Sequence, residues 1–505
     1  MTSLLELPQE LLLDIVERLE GDNAALAALC LTSRACVDFS RRSLYRSVKI
    51  DRNNTSKVQI ALLLRTAFDR RDLIALTTTF HIETSIFLDS SELWEVPSGA
   101  TRMRLANGTR LKDASLQEAK CLERNSAPGV SSMIRNWRRA LRSGAQTAYV
   151  GLLFFLLTSI KDISITIYVE DGKPTRTVQP LEHLFGLSIG GYEDELQADP
   201  RPHLPLIPHM RHVTRLKTSG ANLALLCLGF ENLETLEIDL SQSLRSVSGP
   251  YWMNDVVDMD PCSLPNVHSL VIHIDWDKRI GKDCIQSLFE AIYFPELSHV
   301  YCSLYNHDIR HHWNPEGSFA FLQLAFEPVE PLLQELTISV GNDIGKFSPD
   351  ILCRFSPCTP DLRRFERLHT MCVPSAALVN HSIHHNDTPV DVPLLLNDMP
   401  PKLKHLTILY PNAQTLDWLH DTFGANGHDE PVLQTLTLSC AWDWGKPPTW
   451  FERRRDLLDS FPVKVIVDVI QGQKKPADYV DVEADGLWDI QSGDDDWLSG
   501  LFSEG

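Results

Sequence analysis

A short phrase recurs along the second half of the chain and limits its fold more than any other feature. In full form it is a proline, an apolar residue two positions on, a second three further, and a third two beyond that. Pro265, Val267, Leu270 and Ile272 give it, as do Pro331, Leu333, Leu336 and Ile338. Pro401, Leu403, Leu406 and Ile408 repeat it, then Pro431, Leu433, Leu436 and Leu438. Pro295, Leu297 and Val300 make a shorter copy, and Glu231 stands in for the proline ahead of Leu233, Leu236 and Ile238. Two further copies, from Pro208 and Pro360, lack the last apolar residue; successive starts lie 23, 34, 30, 36, 29, 41 and 30 residues apart. Apolar residues at alternate positions mark a half-buried strand. A proline suits the first residue of a strand, which needs no ladder donor there.

Helix-like pieces separate the copies, at 283–293, 319–326 and 415–423. A unit of one strand and one helix cannot bury its apolar face alone. Units repeated at such a period therefore stack into a solenoid with a parallel sheet on one side. Upstream, Val48 to Ile50 reads as a strand, 57–68 as a helix with Ile60, Leu63, Leu64 and Ala67 on one face, and 98–122 as polar loop. Arg135, Trp137, Arg138, Arg139 and Arg142 read as a basic helix face with the tryptophan turned inward. The apolar run 147–160, bracketed by Arg142 and Lys161, is too short to span a bilayer and reads as a buried helix, with Ile163, Ile165 and Ile167 as the strand after it. Residues 463–470 read as a closing edge strand. From 478 to 505 there are nine acidic residues and no Lys or Arg, the composition of a disordered tail.

A formal charge of −20 leaves no surplus of cations to neutralise phosphates, which argues against a nucleic-acid partner. Eleven cysteines without a Cys-x-x-Cys pair read as reduced thiols, and Glu6 stands where a secretion signal would be basic and then apolar. A cytoplasmic and/or nuclear protein with no membrane partner is expected. Chemistry-bearing motifs are few. Gly186, Ser188 and Gly190 have nucleophile-elbow spacing, but Asp199 to Pro202 leaves little room for the helix that motif needs. Cys353, Cys358, His369 and Cys372 match no zinc spacing, and His307, His311 and His312 lie among turn residues. Neither phosphate-cradling glycine motif is present, so no cofactor is expected.

The N-terminus carries the most specific stretch. Leu7, Pro8 and Glu10 open a helix whose Leu11, Leu12, Ile15, Val16 and Leu19 fall at helical spacing. Pro8 suits its first turn and Glu10 the positive end of its dipole. Asp22 can cap a second helix carrying Leu26 and Leu29, and Ser33 a third. Periodicity alone reads as a helical cap with a spare apolar face. The order Leu7-Pro8-x-Glu10, then Leu11, Leu12, Ile15 and Leu19, then an Asp-led helix and Cys30-Leu31-x-Ser33-Arg34 resembles the F-box, although Ala35 to Val37 stand where many members carry a tryptophan.

That resemblance implies docking on a Skp-family adaptor, and through it a cullin, by Leu7, Pro8, Glu10, Leu11, Leu12, Ile15, Leu19, Leu26 and Leu29. The repeats resemble the irregular leucine-rich class. Together they imply an α/β chain: a three-helix F-box at 1–47, an irregular leucine-rich-repeat-like solenoid at 48–470, and an acidic tail at 471–505. The implied function is non-catalytic, the substrate-recognition subunit of an SCF-type ubiquitin ligase with a protein substrate that the sequence does not name. An interaction scaffold that delivers nothing for degradation, and a serine hydrolase using Ser188, stay open as alternatives.

Overall fold

The computed structural model describes residues 7–19, 22–50, 56–87, 103–125, 131–143, 146–170, 208–219, 230–240, 262–275, 285–286, 288–290, 292–305, 326–341, 362–379, 399–423, 432–442, 451, 455–458, 461 and 463–471. Ser188, the histidines at 307–312, Cys353, Cys358 and the acidic tail beyond Gln471 lie outside them, as does all but Phe326 of the helix expected at 319–326.

Helices α1 (Gln9–Arg18), α2 (Asn23–Thr32) and α3 (Arg34–Arg46) come first, and α3 runs directly into strand β1 (Ser47–Ile50). β2 (Thr79–Phe87), β3 (Asp162–Glu170), β4 (Arg215–Ser219) and β5 (Thr235–Asp239) follow. A two-stranded parallel pair, β6 (Cys262–Ser263) and β8 (Ile292–Tyr293), stands apart. β7 (Ser269–Asp275), β9 (His299–Tyr305), β10 (Glu335–Gly341), β11 (Thr370–Pro374), β12 (His405–Leu409), β13 (Thr435–Trp442) and β14 (Lys464–Gln471) complete the main sheet. Its twelve strands are all parallel, its edges are β1 and β14, and its spatial order is the order of the chain.

Register follows from the apolar pattern. Phe80, Ile163, Leu216, Leu236, Leu270 and Val300 lie level across the sheet, and Leu336, Met371, Leu406 and Leu436 continue the row. All are buried, and slipping any strand by one residue would turn them to the opposite face. The residue ahead of each strand adds a second lattice. The His268 carbonyl accepts from the amides of Ser298 (3.1 Å) and His299 (2.9 Å), and that of Lys404 from Gln434 (2.8 Å) and Thr435 (3.0 Å). Backbone donors are thereby satisfied where the strands begin.

The prolines do not open the strands: Pro265, Pro295, Pro331 and Pro401 sit in turns four residues ahead of β7, β9, β10 and β12, and two further copies depart from the sequence reading in register as well. Pro208 opens a 3₁₀ turn (Pro208–His212), not a strand; Met210 and Val213 are buried beneath it and β4 pairs through Leu216. Likewise Leu362–Arg364 is a 3₁₀ turn, Phe365 is buried, and the strand uses Met371 and Val373. With Met371 in place of Phe365, the level positions Leu336, Met371 and Leu406 are 35 residues apart at each step. A proline-led turn with an apolar residue beneath it mimics the start of a strand.

Helices cover one face. α4 (Ser56–Asp69) buries Ile60, Ala61, Leu64 and Ala67, and the short α5 (Arg71–Ile74) follows it. The stretch expected to be polar loop forms α6 (Leu111–Asn125), whose buried side is small: Leu111, Ser115 and Ala119. In α7 (Ser131–Ser143) Trp137 points inward and donates its Nε1–H to the Ala148 carbonyl of α8 (Gln146–Leu156) at 2.9 Å. Phe154 of α8 meets Phe80 of β2 edge-on, centroids 5.1 Å apart. α9 (Ala413–Phe423) and the short α10 (Arg455–Leu458) lie between the last strands. Among the described residues no helix is long and apolar enough to cross a membrane.

Candidate functional site

Two surfaces can meet a partner. The first is built by α1 to α3. Pro8 stands just ahead of α1, one position earlier than its sequence suggests, and its carbonyl accepts from Leu11 (3.1 Å) and Leu12 (3.2 Å). Asp22 caps α2, its carboxylate accepting from the Ala25 amide at 2.9 Å. Leu12, Val16, Leu26 and Cys36 are buried and hold the three helices together. None of the four belongs to the core that runs beneath the sheet. The module is nevertheless anchored: Thr77 donates its hydroxyl to the Tyr45 carbonyl (2.9 Å), and the Thr78 amide donates to that of Arg46 (2.9 Å).

This burial divides the expected docking residues. Leu12 and Leu26 turn inward and shape the module. Leu7, Ile15, Leu19 and Leu29 are half-buried, while Pro8 and Glu10 are exposed. Leu11 is 50% exposed, and two leucines outside the expected set join it: Leu13 at 40% and Leu31 at 89%. The signal for Leu13 was present in the run Leu11, Leu12, Leu13, since one helix cannot turn three consecutive residues to a single core.

No known protein-family model matches the chain, and no curated protein matches it either.

The second surface is the face of the sheet opposite the helices. On it Glu237 Oε1 accepts from Lys217 Nζ on β4 and lies 3.0 Å from His273 Nε2 on β7. Burial pushes the Glu237 carboxyl upward, but hydrogen bonds and charge from His273 and Lys217 outweigh it and bring it down to about 2. Beside it the His273 ring meets Tyr301 edge-on, 6.5 Å between centroids. Tyr301 OH lies 3.0 Å from Ser339 Oγ, which donates to Ser303 Oγ at 3.2 Å. Tyr410, at φ 56°, lays its ring back across β11 so that its hydroxyl donates to the Val340 carbonyl (3.4 Å).

The arrangement offers fixed donors, acceptors and rings, and the thiols near it are held in the protonated form. Burial raises Cys302 to about 12 and Cys372 to about 11. Among the described residues no three His, Cys, Asp or Glu side chains are grouped to hold a metal. Sequence reasoning missed this polar network because its members lie 20 and 36 residues apart and meet only when the strands register.

Proposed function

We propose that the chain is the substrate-recognition subunit of an SCF-type ubiquitin ligase: an F-box at the N-terminus holds a Skp-family adaptor, and a leucine-rich-repeat-like solenoid presents the substrate. The observation that carries the reading is the N-terminal module. Its three helices close a small core of their own yet leave Leu11, Leu13 and Leu31 in solvent, more apolar surface than a capping element needs. Family motifs place their adaptor-facing residues on this stretch, and Leu7, Pro8, Ile15 and Leu29 are accessible for that role here.

The sheet supports the other half. Its strands follow chain order at recurring intervals, as stacked repeats do, and the face away from the helices carries an ordered polar network. Such a subunit forms no bond itself; it raises the effective concentration of a substrate near ubiquitin loaded elsewhere in the complex. The test is co-purification with a Skp-family adaptor. Replacing both Leu11 and Leu31 by Ala is expected to weaken capture by at least about tenfold, since a buried interface anchor is worth more than about 1 kcal/mol. Unchanged capture by the folded variant would remove the module from the interface. If capture succeeds but polyubiquitylation of a bound partner does not depend on it, the chain is a scaffold and not a receptor.

A further inference from the structure

The two edges of the sheet are unlike. β1 has four residues and follows α3 directly, whereas β14 has eight, all registered against β13, and among the described residues it pairs with nothing else. Ile466 is 39% and Val467 37% exposed, and Lys464 and Asp468 are exposed with no side-chain partner among the described residues. A long, apolar, unpaired edge is a template for another strand, and proteins that leave one open commonly use it.

The geometry points to a second copy of this chain as the occupant: we propose that β14 pairs antiparallel with β14 of another molecule about a twofold axis at Ile466. The Lys464 amide donates to the carbonyl of Gln434, just ahead of β13, so even-numbered residues spend their main-chain groups on β13 and Val465 and Val467 turn theirs outward. Centring an antiparallel pair on Ile466 sets Val465 of each copy against Val467 of the other as the hydrogen-bonded pairs. The same register sets Lys464 against Asp468 at both ends and Ile466 against itself in the middle. Those are the non-hydrogen-bonded positions, where opposed side chains stand closest. The strand Lys464-Val-Ile-Val-Asp468 is thus complementary to its own reverse in both charge and apolarity. Isologous contact of this kind closes as a dimer, joins two sheets edge to edge and removes both open edges. It does not involve the N-terminal module and so stands or falls apart from adaptor docking; Lys464, Ile466 and Asp468 lie on the open face, at the β14 edge away from Glu237.

The experiment is sedimentation equilibrium on the full chain with charge reversal. Asp468→Lys and Lys464→Asp each turn two attracting cross-strand pairs into repelling ones. Each single change is expected to raise the dimer dissociation constant roughly tenfold or more. The double variant Lys464→Asp, Asp468→Lys restores opposite charges and should return to within about threefold of the original. Both positions are exposed, and circular dichroism checks that each variant keeps its fold. Three results would overturn the proposal: a monomer at every concentration, a dimer indifferent to the single reversals, or a double variant no better than the singles. A monomer whose β14 amides resist hydrogen exchange would overturn it too, by showing that the chain covers its own edge.

Discussion

Glu237 concentrates what single residues contribute. Burial opposes its charge, and His273 and Lys217 more than offset that, so its carboxyl sits near 2 where an ordinary glutamate titrates at 4.5. A folded-state value below the unfolded one stabilises the fold above the unfolded value, and that contribution is lost as pH falls through the folded one. The window therefore runs from about 4.5 down to about 2. Glu237→Gln keeps the shape and removes the charge, and is expected to cost about 1–2 kcal/mol near neutrality, by denaturant titration. The gap between the two proteins should narrow through that acid window; a gap constant with pH would mean that the charge contributes nothing. None of this could be read along the chain. Lys217, Glu237 and His273 are ordinary surface residues until β4, β5 and β7 are set side by side.

Among the elements, strands were legible where all three apolar positions were filled, as at Leu333, Leu336 and Ile338: the last two alternate within β10 and fix its register, and Leu333 is buried just ahead of it. They were misread at Pro208 and Pro360, where a buried residue in a 3₁₀ turn, Met210 or Leu362, takes the place of the apolar residue that elsewhere lies just ahead of the strand. Helix α6 was missed because Ser115 and Ala119 make a buried face that does not look apolar. The register at β11 gives a direct test. Met371 is buried and Thr370, its neighbour, is half-buried on the other face. Met371→Ala should cost about 2–5 kcal/mol, as core truncations do, and Thr370→Ala less than about 1 kcal/mol. Equal costs, measured by chemical denaturation, would place the strand in the wrong register. At the N-terminus the cap of α2 was legible from residue type alone. Asp22→Ala removes the bond to the Ala25 amide and should cost the α2 helix about 1 kcal/mol. Faster amide exchange confined to residues 23–32 would show it, and unaltered exchange there would mean that the cap is idle.

Across the whole molecule, two bodies of apolar packing decide how the chain comes apart. The sheet and its helices share one continuous core, in which Leu270 is fully buried, whereas Leu12, Val16, Leu26 and Cys36 make a smaller one that does not merge with it. Besides the chain itself, which runs from α3 straight into β1, hydrogen bonds from Thr77 to Tyr45 and from Thr78 to Arg46, worth about 1 kcal/mol each, tie the module to the sheet. A small core separate from the main one should open on its own before the sheet does. Leu26→Ala, at a site with no exposure, is then expected to lower the stability of residues 9–46 by about 2–5 kcal/mol while leaving amide exchange in β5 to β13 unchanged. Leu270→Ala should act the other way. It would destabilise the sheet by a similar amount, and exchange in α1 to α3 should be unaffected at temperatures where the sheet stays folded. Hydrogen exchange followed segment by segment reads both variants at once. If each variant loosens both regions equally, the module and the sheet unfold as one body, and the docking surface cannot be altered without altering the sheet behind it.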